Sequence, residues 1–161
     1  MRSDLNEKSS GKYQTGEKAV EYIVNGAARA ITLLASQSGT LFAVDMSAVD
    51  NNVTITLPTA SAAVAGVNYD FCFTVNSDDD ADFSITTGAD GTDIYGGIVT
   101  LAANSTVDAF NGISKITVDG SVAQSAEGLK LSLVCDGTNW HLSGHIATAV
   151  GTVHLVGAAS A

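Results

Sequence analysis

Apolar residues recur along this chain in short alternating runs, broken by Gly, Asn, Asp and Ser. Asn52–Leu57 is the clearest case: Val53, Ile55 and Leu57 fall on one side, Thr54 and Thr56 on the other, and Pro58 follows. Strict alternation of this kind marks a half-buried strand, and a proline cannot continue the ladder. Tyr69–Val75 repeats the pattern with Tyr69, Phe71, Phe73 and Val75, and Leu129–Cys135 with Leu129, Leu131, Leu133 and Cys135. Further strands are predicted at Ile31–Ala35 and Leu41–Asp45, around a turn at Ser36–Gly39, and at Phe83–Thr86. Ile94–Tyr95 and Ile98–Leu101 surround Gly96-Gly97, and Ile113–Val118 is bounded by the turn dipeptides Asn111-Gly112 and Asp119-Gly120. Trp140–Ile146 joins Leu129–Cys135 through Asp136-Gly-Thr-Asn139, the strongest hairpin signal, and Val150–Val156 supplies a last strand. The only helix candidates are short, around Ala60–Ala65 and in the N-terminal segment.

About ten strands with a turn roughly every ten residues predict an all-β fold, an antiparallel β-sandwich or barrel of jelly-roll-like form. Nothing resembles the βαβ alternation of a nucleotide-binding sheet. Residues 1–26 differ from the rest. They are polar, rich in Lys, Glu, Ser and Gly, and lack an apolar period before Ala19–Val24. They are read as an extended N-terminal arm with a short ordered patch near Val20–Val24, and residues 27–161 as the β-sandwich domain. Fully extended, such an arm would reach up to roughly 90 Å.

Charge sharpens this division. The 161 residues carry a net charge of −10, and only 15% of them are charged, against the usual quarter. Residues 1–29 hold five cations and four acids; everything after holds Lys115 and Lys130 against thirteen acids, a net of −11. An acidic body repels nucleic-acid phosphates and anionic lipid, so neither nucleic acid nor membrane is an expected partner. Met1–Ser10 is polar with no apolar h-region after it, and no stretch reaches the ~18 apolar residues of a membrane span. Assembly in a cytoplasm is the expectation. Cys72 and Cys135 are too few for a disulfide framework, and their parity separates them: Cys135 shares the apolar side of its strand, whereas Cys72 points away. Two free thiols are expected.

Candidate chemistry is sparse. Asp78-Asp-Asp-Ala-Asp82 clusters carboxylates without the Gly and Glu of a calcium loop, and reads as a solvated tip that deters edge pairing. His141 and His145 lie on one side of a strand, about 13 Å apart, too far to share one metal; His154 is the third histidine. No G-x-S-x-G elbow, P-loop or H-E-x-x-H occurs. The chain is therefore expected not to be an enzyme and to need no cofactor or metal. Trp140, the sole tryptophan, is read as packing over the sandwich rather than stacking on a sugar.

Several segments together resemble a known group of proteins: Leu34–Asp45, Val53-Thr-Ile-Thr-Leu-Pro58, Tyr69–Val75, Ile85-Thr-Thr87 and Leu133–Gly144 with its Asp136-Gly-Thr-Asn-Trp140. Their order is similar to that of small β-rich proteins of tailed bacteriophages, above all head decoration (cement) proteins, and also to modules of phage tail fibres. The resemblance implies a structural virion protein that stabilises the capsid as an outer-surface homotrimer and binds the major capsid protein. The arm would then be the attachment element, with Tyr13, Tyr22, Ile23 and Val24 as apolar anchors. The alternative it implies is a receptor- or glycan-binding module of a tail fibre.

Overall fold

The computed structural model describes residues 19–24, 29–46, 52–75, 81–88, 92–101, 106–118, 126–146 and 155–159. Among these residues lie β1 (Val20–Val24), β2 (Arg29–Thr32), β3 (Thr40–Asp45), β4 (Val53–Thr56), β5 (Asn68–Val75) and β6 (Phe83–Thr86). They continue with β7 (Ile94–Thr100), β8 (Thr106–Val118), β9 (Lys130–Cys135), β10 (Trp140–Ile146) and β11 (Leu155–Ala159). The only helical pieces described are two 3-10 turns, Ala35–Gln37 and Ala62–Val64. The all-β expectation holds, as a curled mixed sheet that forms a half-barrel.

The strands order as β1-β3-β5-β9-β10-β7-β8-β6-β4-β2, and β11 pairs with β8 beside this path. One wing is β1, β3 and β5; the other is β2, β4 and β6. Within each wing every pairing is parallel. Between the wings, β5–β9, β9–β10, β7–β8 and β6–β8 are antiparallel, while β7–β10 is parallel. The antiparallel expectation is corrected in this respect. From β1 to β6 the chain crosses to the opposite wing after each strand, so successive strands within a wing run the same way. Parallel neighbours need such crossovers, because a tight hairpin can join only antiparallel ones. Ser36–Gly39 does turn the chain, but it carries it from β2 in one wing to β3 in the other.

The wings face each other across one core. Phe71 and Phe73 of β5 meet Phe83 of β6 edge-on, with ring centroids 5.9 and 5.1 Å apart. Ile31, Ile55 and Ile85 stand at one register level through β2, β4 and β6, and Ile23, Val44 and Phe73 at another through β1, β3 and β5. At the closed end Trp140 is fully buried and stacks on Tyr69 at 5.6 Å. Its Nε1–H donates to the Pro58 carbonyl at 3.2 Å. The Tyr69 hydroxyl donates to the Leu34 carbonyl at 2.8 Å, and burial first, then the nearby Cys135, pushes its pKa up to about 12. Trp140 is thus a packing residue, as its sequence context suggests, and is not available to a sugar. Cys135 is buried, Cys72 is partly exposed, and both are free.

Two local readings are corrected. Gly96-Gly97 does not interrupt a strand: β7 runs straight through it. Asn111-Gly112 is not a turn but a bulge inside the 13-residue β8. Ile94 pairs with Ile113 and Tyr95 with Asn111, which leaves Gly112 as the extra residue at φ +71°. A positive-φ glycine serves a bulge as readily as a hairpin turn. Asp136–Asn139, by contrast, does join antiparallel β9 and β10.

Candidate docking face

Strand parity sends alternate residues of β1, β3, β5, β9, β10, β7 and β8 to the outside of the curl. Registers set them in rows across the sheet. One row runs from Tyr22 through Ala43, Cys72, Lys130, His145 and Val99 to Val107. The next passes from Val20 and Leu41 over Asp70, Ser132, Ser143 and Gly97 to Ala109 by the same registers. The middle of this second row is built from short side chains. Between the taller flanking rows it leaves a groove of about 530 Å³, whose lining includes Leu41, Asp70, Cys72, Lys130, Ser132 and His145.

The face is unusually apolar at its two ends. Tyr22 is 76% exposed, Val107 67%, Val20 48% and Val99 37%. Single exposed aliphatics are ordinary on a monomer, but a run of them on one sheet face marks a contact surface. The chemistry on offer is van der Waals contact, short hydroxyls and, in the groove, a carboxylate (Asp70), a lysine (Lys130) and an imidazole (His145).

The proposed anchors divide. Tyr13 lies outside the described residues. Tyr22 is exposed on β1, at the sheet's edge and at one end of the face. Ile23 is only 4% exposed and belongs to the core of this chain, so it is committed to folding, as its parity opposite Tyr22 requires. Val24 closes β1 opposite Asp45; its side chain lies outside the described residues. Val20–Val24, within the segment read as an arm, therefore form a sheet strand hydrogen-bonded to β3. Sequence reasoning missed the remainder of the face. Its signal was present in the outward positions of β7 and β8, Val99 and Val107, where alternation would place polar side chains.

A second cluster lies past the groove at the β9–β10 turn. His141 Nε2 and Asp136 Oδ2 share a hydrogen bond of 2.7 Å, and the His141 ring sits 6.3 Å from that of Tyr95. Asp136 Oδ1 accepts the backbone N–H groups of Thr138 and Asn139 at 2.7 and 2.8 Å. This carboxylate clamps its own turn, which is the ordinary work of an Asp at that position. Asn139 Oδ1 in turn accepts the Asp93 backbone N–H at 3.2 Å. Asp93 Oδ1 is buried without a partner among the described residues. His141 and His145 both project outward from β10, as expected. His154 and residues 78–80 of the acidic run lie outside the described residues. No group of three or more His, Cys, Asp or Glu side chains able to hold a metal occurs among the described residues. No described helix is long and apolar enough to cross a membrane.

The hydrogen bond from the Asn139 backbone, then those from His141 and the Thr138 backbone, lower the Asp136 pKa from 3.8 to about 2. A carboxyl group whose folded pKa lies below its unfolded value stabilises the fold above the unfolded pKa, and that contribution disappears as pH falls through the folded pKa. The turn is therefore expected to be fully clamped above about pH 4 and to loosen toward pH 2. Carboxyl NMR titration should place the Asp136 midpoint near 2; a midpoint near 3.8 would show that the clamp does not form.

Comparison with known protein families and with curated proteins finds no match to this sequence.

Proposed function

We propose that this chain is a structural virion protein that decorates and stabilises a bacteriophage capsid, seated as a homotrimer on the outer surface and bound to the major capsid protein. The observation that carries the reading is the apolar outer face ending at Tyr22, set on a body whose charge from residue 30 on is −11. An acidic exterior suits a surface that must repel other virions and stay clear of the genome. The resemblance of Leu34–Gly144 to decoration proteins points the same way. The protein would assemble in the host cytoplasm and act without chemistry, by spanning boundaries between shell subunits. Three linked attachment points gain from effective concentration, and an arm that orders on binding can wrap a wide surface.

Because β1 is part of the sheet, the test of the arm is deletion of residues 1–18, which leaves β1 in place. The truncated protein should remain folded and lose co-sedimentation with undecorated heads. Equal binding by truncated and full-length protein would move the contact from the arm to the body.

A second reading, a glycan-binding module of a tail fibre, is favoured by one observation. The Tyr95 and His141 rings stand together beside Asp136, an arrangement that offers a stacking surface and a polar acceptor to a sugar. Glycan-array binding lost on Tyr95→Ala would support it.

A further inference from the structure

We infer that Glu21 and Arg29 guard the open end of the two wings, so that this end refuses a further strand, the edge of a second copy above all. The inference goes beyond the decoration reading and stands or falls without it.

The end is open by construction. β1 and β2 are the two termini of the strand order, so each has a neighbour on one side only among the described residues. The Leu41 N–H donates to the Ala19 carbonyl, and the Arg29 and Leu33 N–H groups donate to the Asn52 and Thr56 carbonyls. Backbone groups alternate in direction along a strand, so those of Val20, Tyr22, Ala30 and Thr32 point to the free edges. Two such edges, one on each wing, are a template for further strands. The core ends here as well. Ile31 is only partly covered, whereas Ile55 and Ile85, which follow it in register, are buried.

Register shows what stands at this mouth. Glu21 pairs with Phe42, and Phe42 with Phe71; the two rings are buried and stack at 5.2 Å. Arg29 pairs with Val53, and Val53 with Phe83, both buried. Glu21 and Arg29 thus hold core-facing positions, one on each wing, at the last level of columns that are otherwise apolar. Phe71 and Phe83 meet at 5.9 Å, so these two columns face each other across the core. A strand laid against either edge would bring its own inward side chain over one of these charges and strip water from it. Burying an unpaired charge is costly, and pairing like edges of two copies would set Glu21 against Glu21 and Arg29 against Arg29. The Glu21 carboxylate is also already engaged. Gln37 Nε2 donates to its two oxygens at 3.1 and 3.3 Å, while Gln37 Oε1 accepts the Leu34 N–H at 2.9 Å. One glutamine therefore straps β1 to the chain leaving β2 and holds the acid in place. Short edges add to the guard: β1 has five residues and β2 four.

The experiment replaces the guard with apolar side chains that continue the columns. Glu21→Val together with Arg29→Val leaves the net charge unchanged, so association cannot come from lost repulsion between bodies. Sedimentation at micromolar concentrations and amide hydrogen exchange are read beside the wild type. Wild-type protein should keep the Val20, Tyr22, Ala30 and Thr32 amides open to exchange at every concentration. The double variant should keep the wild-type circular dichroism spectrum and sediment at twice the wild-type mass or more. Exchange at those amides should slow by about tenfold or more. Thr32→Val adds an apolar group on the outward side of β2 and should stay at wild-type mass. Glu21→Arg with Arg29→Glu keeps a charge at each position and should do the same. A double variant that keeps the wild-type mass, or that associates while those amides exchange as before, overturns the inference. Equal association of the Thr32→Val protein overturns it too. If the double variant does not fold, the wild type decides. Free exchange of these amides at all concentrations supports a guarded end, and protection that grows with concentration shows an end that receives a strand.

Discussion

Replacing Gly96 with alanine is expected to cost more than about 3 kcal/mol and to prevent normal folding. Gly96 has φ +125°, and a Cβ added there would lie 1.9 Å from the Leu142 carbonyl oxygen and 2.9 Å from its carbon. The obstacle is backbone, not the end of a flexible side chain. Gly96 and Leu142 are also register partners in the parallel β7–β10 pairing, the seam that joins β9–β10 to β7–β8. Moving either strand aside breaks that seam. Gly66 is the control. It too has positive φ, at +84°, but nothing lies within 4 Å of an added Cβ. Gly66→Ala should cost only the local backbone strain, roughly 1–2 kcal/mol. Thermal melts of the two variants beside the wild type decide the point, and a Gly96→Ala protein that melts with Gly66→Ala would contradict the packing at this seam.

Trp140→Ala should be nearly as damaging. The side chain is fully buried, stacks on Tyr69 and donates to the Pro58 carbonyl. Truncating a buried tryptophan costs about 3–5 kcal/mol, a large part of the ~5–15 kcal/mol that a domain holds. At roughly 2–4 °C per kcal/mol for a chain of this size, the melting temperature should fall by about 10 °C. Trp140→Phe keeps the ring stack and loses the donor, so it should fall between alanine and wild type. Equal melting temperatures for all three would mean that Trp140 is not the packing centre of the closed end.

Much of this fold is legible in the residues, strand by strand. Period-two alternation identifies β4, β5 and β9 and assigns an inner and an outer side to each. That is why the opposite settings of Cys72 and Cys135 could be read from parity alone. Asp136–Asn139 is legible because an Asx clamp and a glycine act over four residues. Pairing is not legible in the same way. Alternation says which side of a strand is buried, but not which strand lies beside it. The recurrence that encodes the wings is Ile31, Ile55 and Ile85 at one level, each in an Ile-Thr pair; loops of unequal length between them hide its period. Asn111-Gly112 misleads because positive φ is needed in turns and bulges alike.

The candidate face was half legible. Tyr22 stands out as an aromatic in a polar segment, but its neighbour Ile23 looks the same in sequence and faces the core. The groove depends on the order β3-β5-β9-β10, which brings Leu41, Asp70, Ser132 and Ser143 into one row from distant parts of the chain. No local pattern announces such a row.

The most direct test of a capsid-decorating role is a binding titration with two targets. Labelled protein is added to purified bacteriophage heads stripped of outer proteins, and in parallel to envelopes of the host cell. The account predicts saturable uptake by the heads, in copies divisible by three, with no uptake by the envelopes. Uptake by envelopes and none by heads would contradict it and transfer the protein to the receptor-binding reading.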